Sequence, residues 1–258
     1  MSGTYQERPS RLDGAVLWRR AADPGPPSPA PAYPVLPDGC MDLLWTDGRL
    51  IVAGPDTRAH RAADTPGGRF AGVRFAPGTM AAFLGVPAYE LRDLRVGLDE
   101  VWPGAGSVRR PRVRELAARI AAAPDQALAL ESLVLDLARE TGPPDPLMRA
   151  VAAGLGAGRT VAQTADAVGL GARQLRRRSL DAFGYGPKTL GRVLRLQRAL
   201  EFVRDGVPFA AAAYASGCAD QAHLARETRE LAGMTLSAYS AMAAKRDTPR
   251  PSGSSTTA

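Results

Sequence analysis

The second half of the chain contains a repeated spacing of small residues that restricts its fold more than any other feature. An alanine, a glycine four positions later and then a leucine occur from Ala165 to Leu175, and again from Ala213 to Leu224. A helix-turn-helix explains this order, because the alanine lets two helices approach, the glycine takes the positive φ of the turn and the leucine anchors the second helix. We therefore predict two helix-turn-helix units.

The second helix of the first unit is predicted over Ala172–Phe183. At about 100° per residue, Arg173, Arg176 and Arg177 fall within an arc of about 100°, and Leu175 points to the opposite side. An arginine fork can bond N7 and O6 of a guanine in the major groove, so this face suits DNA reading. The alternative is an ordinary solvated arginine face, and the residues alone leave both interpretations open.

The second helix of the second unit is predicted over Gln221–Leu231, with Asp220 as its N-cap and Leu224 buried. Its outer face offers Ala222, Ala225, Arg226 and Arg229, flanked by Gln221 and His223. Alanine can touch a thymine methyl group but donates no hydrogen bond, so we expect poorer base reading here. His223 could contact DNA or be a helix-edge imidazole.

A long helix that begins at Pro187 is predicted to join the two units, since proline is favoured in the first turn of a helix. Its leucine and valine residues occupy one side, and Arg192, Arg195 and Arg198 occupy the other. We expect these three arginines to contact DNA phosphates. A basic amphipathic helix could also lie on a membrane surface, but the aromatic residues that usually anchor such a helix are nearly absent.

The charge of this region favours a polyanionic partner. Residues 147–245 contain 14 Lys and Arg against 7 Asp and Glu, so their excess of +7 equals the +7 of the whole chain. Lys and Arg gain free energy by displacing counterions from phosphates. Arginine-rich proteins without a nucleic-acid role are common, so the charge alone is a weak indication.

The first half of the chain has short runs with strand character, followed by helical runs. The predicted strands are Tyr33–Leu36, Met41–Trp45, Leu50–Ala53 and Phe70–Phe75. The pair Asp47-Gly48 lies between two of them as a two-residue hairpin turn. The predicted helices are Thr79–Gly85, Val113–Ala122 and Ala127–Arg139. This pattern favours a small, mostly antiparallel sheet with helices after it.

We therefore predict an α+β chain, in which a small β-rich N-terminal domain with trailing helices precedes an all-α domain of two helix-turn-helix units joined by a long helix. Glycine and proline between positions 142 and 146 mark the boundary. The predicted divisions are a flexible arm at 1–14, a β-rich regulatory or sensory domain at 15–141, a linker at 142–146, a DNA-binding domain at 147–245 and a disordered tail at 246–258.

The domain at 147–245 resembles the DNA-binding domain of AraC/XylS-type transcription regulators. The resemblance is carried by GLGARQLRRRSLDAFGYGPKTLGRVLRLQRAL from Gly169 to Leu200, and by AYASGCADQAHLARETRELAGMTLSAY from Ala213 to Tyr239. It implies two recognition helices inserted into successive major-groove segments on one face of DNA. On the matching positions, the implied DNA contacts are Arg173, Gln174, Arg176, Arg177, Gln221, Ala222, His223 and Arg226.

This chain departs from the family pattern at four positions. The family usually has aromatic core residues where Ser179 and Thr228 stand, and a Gly-Phe pair where this chain has Gly217-Cys218. We therefore expect the second unit to be less well packed and to bind less selectively. Gly171 replaces the usual serine cap and is a weaker cap.

The front half also resembles a sensory domain that is often fused to this module. The resemblance is carried by PVLPDGCMDLLWTDGRLIVAGPDT and FLGVPAYELRDLRVGLDEVW. It assigns no function to the domain, and we take from it only a β-rich regulatory domain followed by helices.

Cys40 suggests an alternative function, a DNA-associated alkyl- or thiol-transfer protein that uses its basic domain for delivery. Some alkyltransferases join a reactive cysteine to an AraC-like domain, but the zinc-binding cysteine cluster they require is missing here, since Cys40 and Cys218 are the two cysteines of the sequence. A lone cysteine is usually a buried small hydrophobe. We expect no enzymatic activity, because no nucleophile-base arrangement or phosphate-cradling glycine loop stands out.

Two further groups of residues in the N-terminal domain allow a ligand. Asp38, Asp42, Asp56, His60 and Asp64 could be imagined as a metal cluster, but carboxylates at these gaps usually cap turns, and we expect neither a metal nor another cofactor. Tyr33, Trp45 and Phe70 could line a small-molecule pocket, although the core of a small sheet is the commoner role for such residues.

The sequence thus predicts a sequence-specific, DNA-binding transcription regulator. Its partners would be double-stranded promoter DNA, an unknown small-molecule effector in the N-terminal domain, RNA polymerase if the protein is an activator, and a second copy of the chain. A regulator that binds mainly a protein partner is a third possibility. We expect a cytoplasmic location without a membrane, because no uncharged apolar run approaches about 18 residues and the first ten residues lack signal-peptide order.

Overall fold

The computed structural model describes residues 5–21, 34–61, 68–102 and 106–244. Two predictions, the disordered tail at 246–258 and the first four residues of the flexible arm, lie outside these ranges. Tyr33 and Asp64 lie outside them as well.

A six-stranded antiparallel sheet forms the N-terminal domain. Its strands are β1 (Tyr5–Pro9), β2 (Ala15–Ala21), β4 (Met41–Thr46), β5 (Arg49–Ala53), β7 (Arg69–Phe75) and β8 (Arg95–Gly97), in the spatial order β1-β2-β7-β4-β5-β8. A second small sheet pairs β3 (Pro34–Val35) with β6 (His60–Arg61). The predicted hairpin is confirmed, since Asp47 and Gly48 have φ values of 47° and 73° between β4 and β5.

One face of the sheet is buried because apolar residues alternate along its strands. In β4, Met41, Leu43 and Trp45 are buried, while the residues between them are half-buried. Two helices, α3 (Gly106–Ala122) and α4 (Gln126–Thr141), supply further side chains to the same core, among them Val134. The other helical segments of this domain are α1 (Met80–Leu84), a 3-10 turn (Ala88–Glu90) and α2 (Leu98–Val101).

The prediction of a flexible arm is wrong for residues 5–14. Residues 5–9 form β1 and pair with β2 at the edge of the sheet. Beyond the strand, the fully buried carboxylate of Glu131 in α4 accepts hydrogen bonds from the Ser10 hydroxyl at 2.9 Å and from the Arg11 backbone and Nε, each at 2.9 Å. A charge buried this deeply requires such partners, and the segment supplies them.

The described residues of the C-terminal domain form seven helices. They are α5 (Pro146–Gly156), α6 (Val161–Ala167), α7 (Ala172–Phe183), α8 (Pro187–Arg204), α9 (Phe209–Ser216), α10 (Gln221–Ala232) and α11 (Leu236–Ala244). Residues 142–145 form neither helix nor strand, and Asp145 caps α5 by accepting a hydrogen bond from Leu147 N at 2.9 Å.

The C-terminal domain has two apolar clusters that share α8. Leu190 of α8 packs with Leu175 of α7 in the first cluster, and Leu196 and Leu200 pack with Leu224 of α10 in the second. One helix therefore forms part of both cores, which fixes the two units relative to each other. The architecture is the predicted α+β fold, a sheet domain followed by an all-α domain.

Candidate nucleic-acid interface

The first helix-turn-helix unit consists of α6 and α7. A capping box starts α6, because Thr160 Oγ1 accepts from Gln163 N at 3.1 Å and Gln163 Oε1 accepts from Thr160 N at 2.9 Å. Gly169 has a φ of 64° in the turn, and Ala165 is buried where the helices meet. Both are the roles that the repeated spacing predicts.

The arginines of α7 are exposed opposite its buried anchor. Leu175 is fully buried, whereas Arg173, Arg176 and Arg177 are all exposed. Within the described ranges, no carboxylate pairs with any of these three guanidinium groups. Their positive charge is therefore available to an outside partner.

Gln174 is exposed and also makes a hydrogen bond within the protein. Its side-chain oxygen accepts a hydrogen bond from Gly171 N at 3.3 Å, so it helps to cap the helix that begins after this glycine. The weak glycine cap predicted at this position thus receives support from the side chain three residues later.

The second unit consists of α9 and α10 and repeats this geometry. Gly217 has a φ of 83° in the turn, and Asp220 caps α10 by accepting from His223 N at 2.6 Å. Leu224 is fully buried. Gln221, Ala222 and Arg226 are exposed on the outer side of α10.

His223 is turned toward the protein. Its Nδ1 accepts a hydrogen bond from Ala219 N at 3.2 Å, which leaves the proton of the neutral ring on Nε2. That Nε2 lies 3.5 Å from Glu227 Oε1. Both ring nitrogens of His223 therefore have partners within the protein. The side chains of Gln221 and Arg226 have no such partner in the described part of the chain.

The three arginines predicted to contact phosphates are engaged within the protein. Arg192 Nε and Arg195 Nη2 both donate to Glu227 Oε1, at 2.9 and 2.8 Å, and Arg192 also bonds to Glu230. Arg198 Nη2 donates to the carbonyl oxygen of Ser216 at 2.9 Å. They join α8 to α9 and α10, a role that the sequence alone did not suggest.

A cleft of about 570 Å³ separates the two units. Arg159 and Thr160, which directly precede α6, line one side of the cleft, and the second unit contributes Gly217 and Arg226. The lining residues supplied by α8 are Lys188, Gly191, Arg192, Arg195 and Arg198. Arg159, Lys188 and Arg226 are exposed at this cleft and pair with no carboxylate in the described ranges, so the cleft carries a positive charge.

The departures from the family pattern leave small polar groups in the two cores. Ser179 and Thr228 are fully buried. The Thr228 hydroxyl donates to Leu224 O at 2.8 Å, whereas the Ser179 hydroxyl has no hydrogen-bond partner in the described residues. Cys218 is buried beside Ser216, and burial raises the pKa of its thiol.

The N-terminal residues considered for chemistry are engaged in other contacts. Burial raises the pKa of the Cys40 thiol, and the charge of Asp38 raises it further, so the reactive thiolate is disfavoured. Asp38 and Asp42 lie 3.6 and 3.4 Å from Arg74 Nε. Asp56 accepts two hydrogen bonds from Arg95 and also lies 3.3 Å from His60. The described residues contain no group of three ligands that could hold a metal ion.

The aromatic residues of the sheet are divided between core and surface. Trp45 is buried in the main core and donates from Nε1 to Ala117 O at 3.3 Å. Phe70 is half-buried beneath the guanidinium of Arg20, 5.9 Å from its ring centre.

Among the described helices, none is long and apolar enough to cross a membrane.

Comparisons with known proteins match two parts of the chain. Residues 164–242, from within α6 to within α11, match the family described as helix-turn-helix domain. Residues 16–97, which run from β2 to the end of β8, match a domain of unknown function, DUF6597. No curated protein sequence matches the chain.

Solved structures of ToxT from Vibrio cholerae are distantly similar. ToxT from strain O395 is 9% identical, with 94% of this chain and 99% of that chain covered and a TM-score of 0.45. ToxT bound to (E)-4-(8-methylnaphthalen-1-yl)but-3-enoic acid is 10% identical, with coverages of 93% and 99% and a TM-score of 0.46. ToxT from strain SCE256 bound to an unsaturated fatty acid is 11% identical, with coverages of 82% and 90% and a TM-score of 0.42.

The helix-turn-helix match and the geometry of the two units define a DNA-binding regulator of transcription. Its C-terminal domain is a helix-turn-helix domain of the AraC type, and it follows an N-terminal DUF6597 domain.

Proposed function

We propose that this regulator reads promoter DNA sequence-specifically, with α7 and α10 entering successive major-groove segments. The observation that carries the proposal is the pattern of α7, in which Arg173, Arg176 and Arg177 are exposed opposite the fully buried Leu175. Unpaired guanidinium groups on a helix that the fold holds rigidly suit direct contact with guanine.

The two units contribute unequally in this proposal. Besides the three arginines of α7, the DNA contacts proposed for the first unit include Gln174. In α10, Gln221, Ala222 and Arg226 are exposed, but Ala222 has no hydrogen-bonding group and His223 is held by its protein partners. The first unit would therefore supply most of the sequence preference, and the second would supply affinity and spacing.

The N-terminal domain has a regulatory role in this proposal, because it contacts both recognition helices. Arg92 Nη1 donates to Gly184 O, just after α7, at 3.3 Å. Ala59 N donates to Leu231 O, near the end of α10, at 2.7 Å. A small-molecule effector, a second copy of the chain or RNA polymerase could act through these contacts. The alkyl- or thiol-transfer alternative is less well supported, since the pKa of Cys40 is raised.

The proposal is tested by selecting genomic fragments with the purified full-length protein at about 150 mM salt, where nonspecific phosphate attraction is already weakened. We expect an enriched motif with two half-sites about one helical turn apart. Failure to enrich any motif, with a protein that is shown to be folded, would contradict sequence-specific binding. A motif with a single half-site would contradict the use of both units.

A further inference from the structure

Glu227 is a buried carboxylate in the middle of a basic surface. Its side chain is 5% exposed, and no other carboxylate among described residues 147–244 is buried. It lies on α10, toward α8, where it accepts hydrogen bonds from Arg192 and Arg195. His223, one turn earlier on α10, faces it as well.

Glu227 remains charged at neutral pH. Burial by itself raises the pKa of this carboxyl, but hydrogen bonds from Arg195 and Arg192 outweigh burial and hold the pKa below its usual value. Together with Glu230, which bonds to Arg192, it balances the charges of two arginines. The α8 side of the cleft is therefore nearly neutral at this point, although its sequence is strongly basic.

Other cations of the cleft differ from Arg192 and Arg195 in their pairing. Arg159, Lys188 and Arg226 are exposed and pair with no carboxylate that the structure describes. Arg192 and Arg195 line the same cleft, with side chains 32% and 24% exposed. A duplex lying over both units would thus meet free cations at the rim and neutralised ones beside Glu227.

Attachment of α10 does not depend on the ion pairs alone. Leu224 and Leu231 already pack against Leu196 and Leu200 of α8. A buried ion pair returns little net stability, because the cost of removing two charges from water offsets their attraction. The ion pairs of Glu227 are therefore not needed to explain why α10 packs on α8.

We propose that Glu227 lowers sequence-independent DNA binding by holding Arg192 and Arg195 on the protein and away from phosphates. This inference rests on the proposed function. Free cations bind the backbone of any sequence, so each one that is withheld reduces nonspecific affinity without affecting base reading by α7. The phosphate contacts expected of Arg192 and Arg195 from the sequence are assigned instead to Arg159, Lys188 and Arg226.

The test compares Glu227→Gln with wild type on a random-sequence duplex and on the selected motif, by fluorescence anisotropy over a series of salt concentrations. The substitution keeps the size of the side chain and removes its charge. On the random duplex we expect roughly tenfold tighter binding at about 0.1 M salt for each arginine released, and a salt slope steeper by roughly 0.9 to 1.8. Binding to the motif should gain by a similar factor, because phosphate contacts do not depend on sequence.

Glu230→Gln is the matched control, since Glu230 is 63% exposed and pairs with Arg192. We expect it to steepen the salt slope by less than Glu227→Gln does. A folded Glu227→Gln protein that binds the random duplex no more tightly than wild type would overturn the inference. Weaker binding to both duplexes would also overturn it and would indicate that Glu227 only stabilises the packing of α10 on α8.

A second pair of variants decides the matter if Glu227→Gln does not fold. The inference predicts that joint replacement of Arg192 and Arg195 by Gln leaves the salt slope on the random duplex nearly unchanged. Joint replacement of Lys188 and Arg226 by Gln should reduce it by roughly 1.8. Equal reductions would overturn the inference. Failure of wild type to bind any duplex would instead overturn the proposed function itself.

Discussion

The ring of Phe183, the last residue of the first recognition helix, lies directly against Gly78 of the N-terminal domain. A Cβ atom at Gly78 would come within 2.6 Å of Phe183 Cε1. Since Phe183 is buried in the core of the first helix-turn-helix unit, this contact joins that core to the sheet domain. The two domains are therefore packed together at the helix proposed to read DNA.

Gly78→Ala should destabilise the protein through this contact. The matched control is Gly48→Ala, because Gly48 has a similar positive φ, 73° against 83°, but nothing within 4 Å of its Cβ position. The control carries only the backbone cost of about 1–2 kcal/mol. Gly78→Ala should lose about 1–3 kcal/mol more from overpacking. Urea titrations of both variants measure these losses of unfolding free energy. Equal losses would show that Phe183 accommodates the added methyl group at no cost.

Arg177→Ala should weaken binding to the preferred site by about 1–3 kcal/mol and relax the base preference at one position. The control is Arg178→Ala, because Arg178 lies 3.6 Å from Asp145 instead of being unpaired. Binding of both variants to the selected motif and to its single-base changes checks the prediction. A uniform loss across all sequences would make Arg177 a phosphate contact.

Glu131 should make stability depend on pH in the acidic range. Burial alone raises its pKa, but hydrogen bonds from Arg11, Ser10 and Arg8 outweigh burial and lower the pKa from 4.5 to about 2. A carboxyl whose pKa is lower in the folded state stabilises the fold above its unfolded pKa, and this contribution is lost as pH falls from about 4.5 toward 2.

Glu131→Gln is therefore expected to cost a few kcal/mol of unfolding free energy at pH 7, roughly 1.4 kcal/mol for each pKa unit. The difference from wild type should shrink steadily below about pH 4.5, as urea titrations at several pH values would reveal. Glu140→Gln serves as the control, since Glu140 is 62% exposed and its nearest cation is 3.9 Å away. A difference between Glu131→Gln and wild type that is constant with pH would contradict the assigned cause.

Ser179→Ala should be neutral or stabilising by up to about 1 kcal/mol, because it removes a buried hydroxyl that has no described partner. Ser216→Ala is the comparison, as Ser216 is equally buried but donates to Ala213 O at 3.0 Å. It should lose about 1 kcal/mol. Thermal unfolding of both variants tests the pair, and a clear loss in Ser179→Ala would point to a hydrogen bond at this hydroxyl.

Local sequence signals were sufficient for the recognition helices. Ala172–Phe183 is predicted and observed with the same limits, and Asp220 caps α10 as expected. These features depend on caps, turn glycines and apolar spacing within about a dozen residues. They can be read without knowing what the helices pack against.

Contacts between distant segments were missed. Glu131 accepts hydrogen bonds from Ser10 and Arg11, which lie 121 and 120 residues earlier in the sequence. The first 14 residues alone therefore do not distinguish a segment held against the domain from a flexible arm. Likewise, the pairing of Arg192 and Arg195 with Glu227 spans 35 and 32 residues. The helical pattern placed these arginines on a polar face, but only the packing of α10 against α8 identifies the carboxylate they meet.

The rigid connection of two unlike units by α8 has a consequence for gene arrangement. One end of the proposed DNA-binding surface carries Arg173, Arg176 and Arg177 of α7, which have no carboxylate partner among the described residues, and the other end carries mostly short or engaged side chains. The two ends of the molecule would therefore differ along the duplex. The binding site of one copy would thus have a direction. Inverting that site in a promoter would present the opposite end of the protein to the start of the gene.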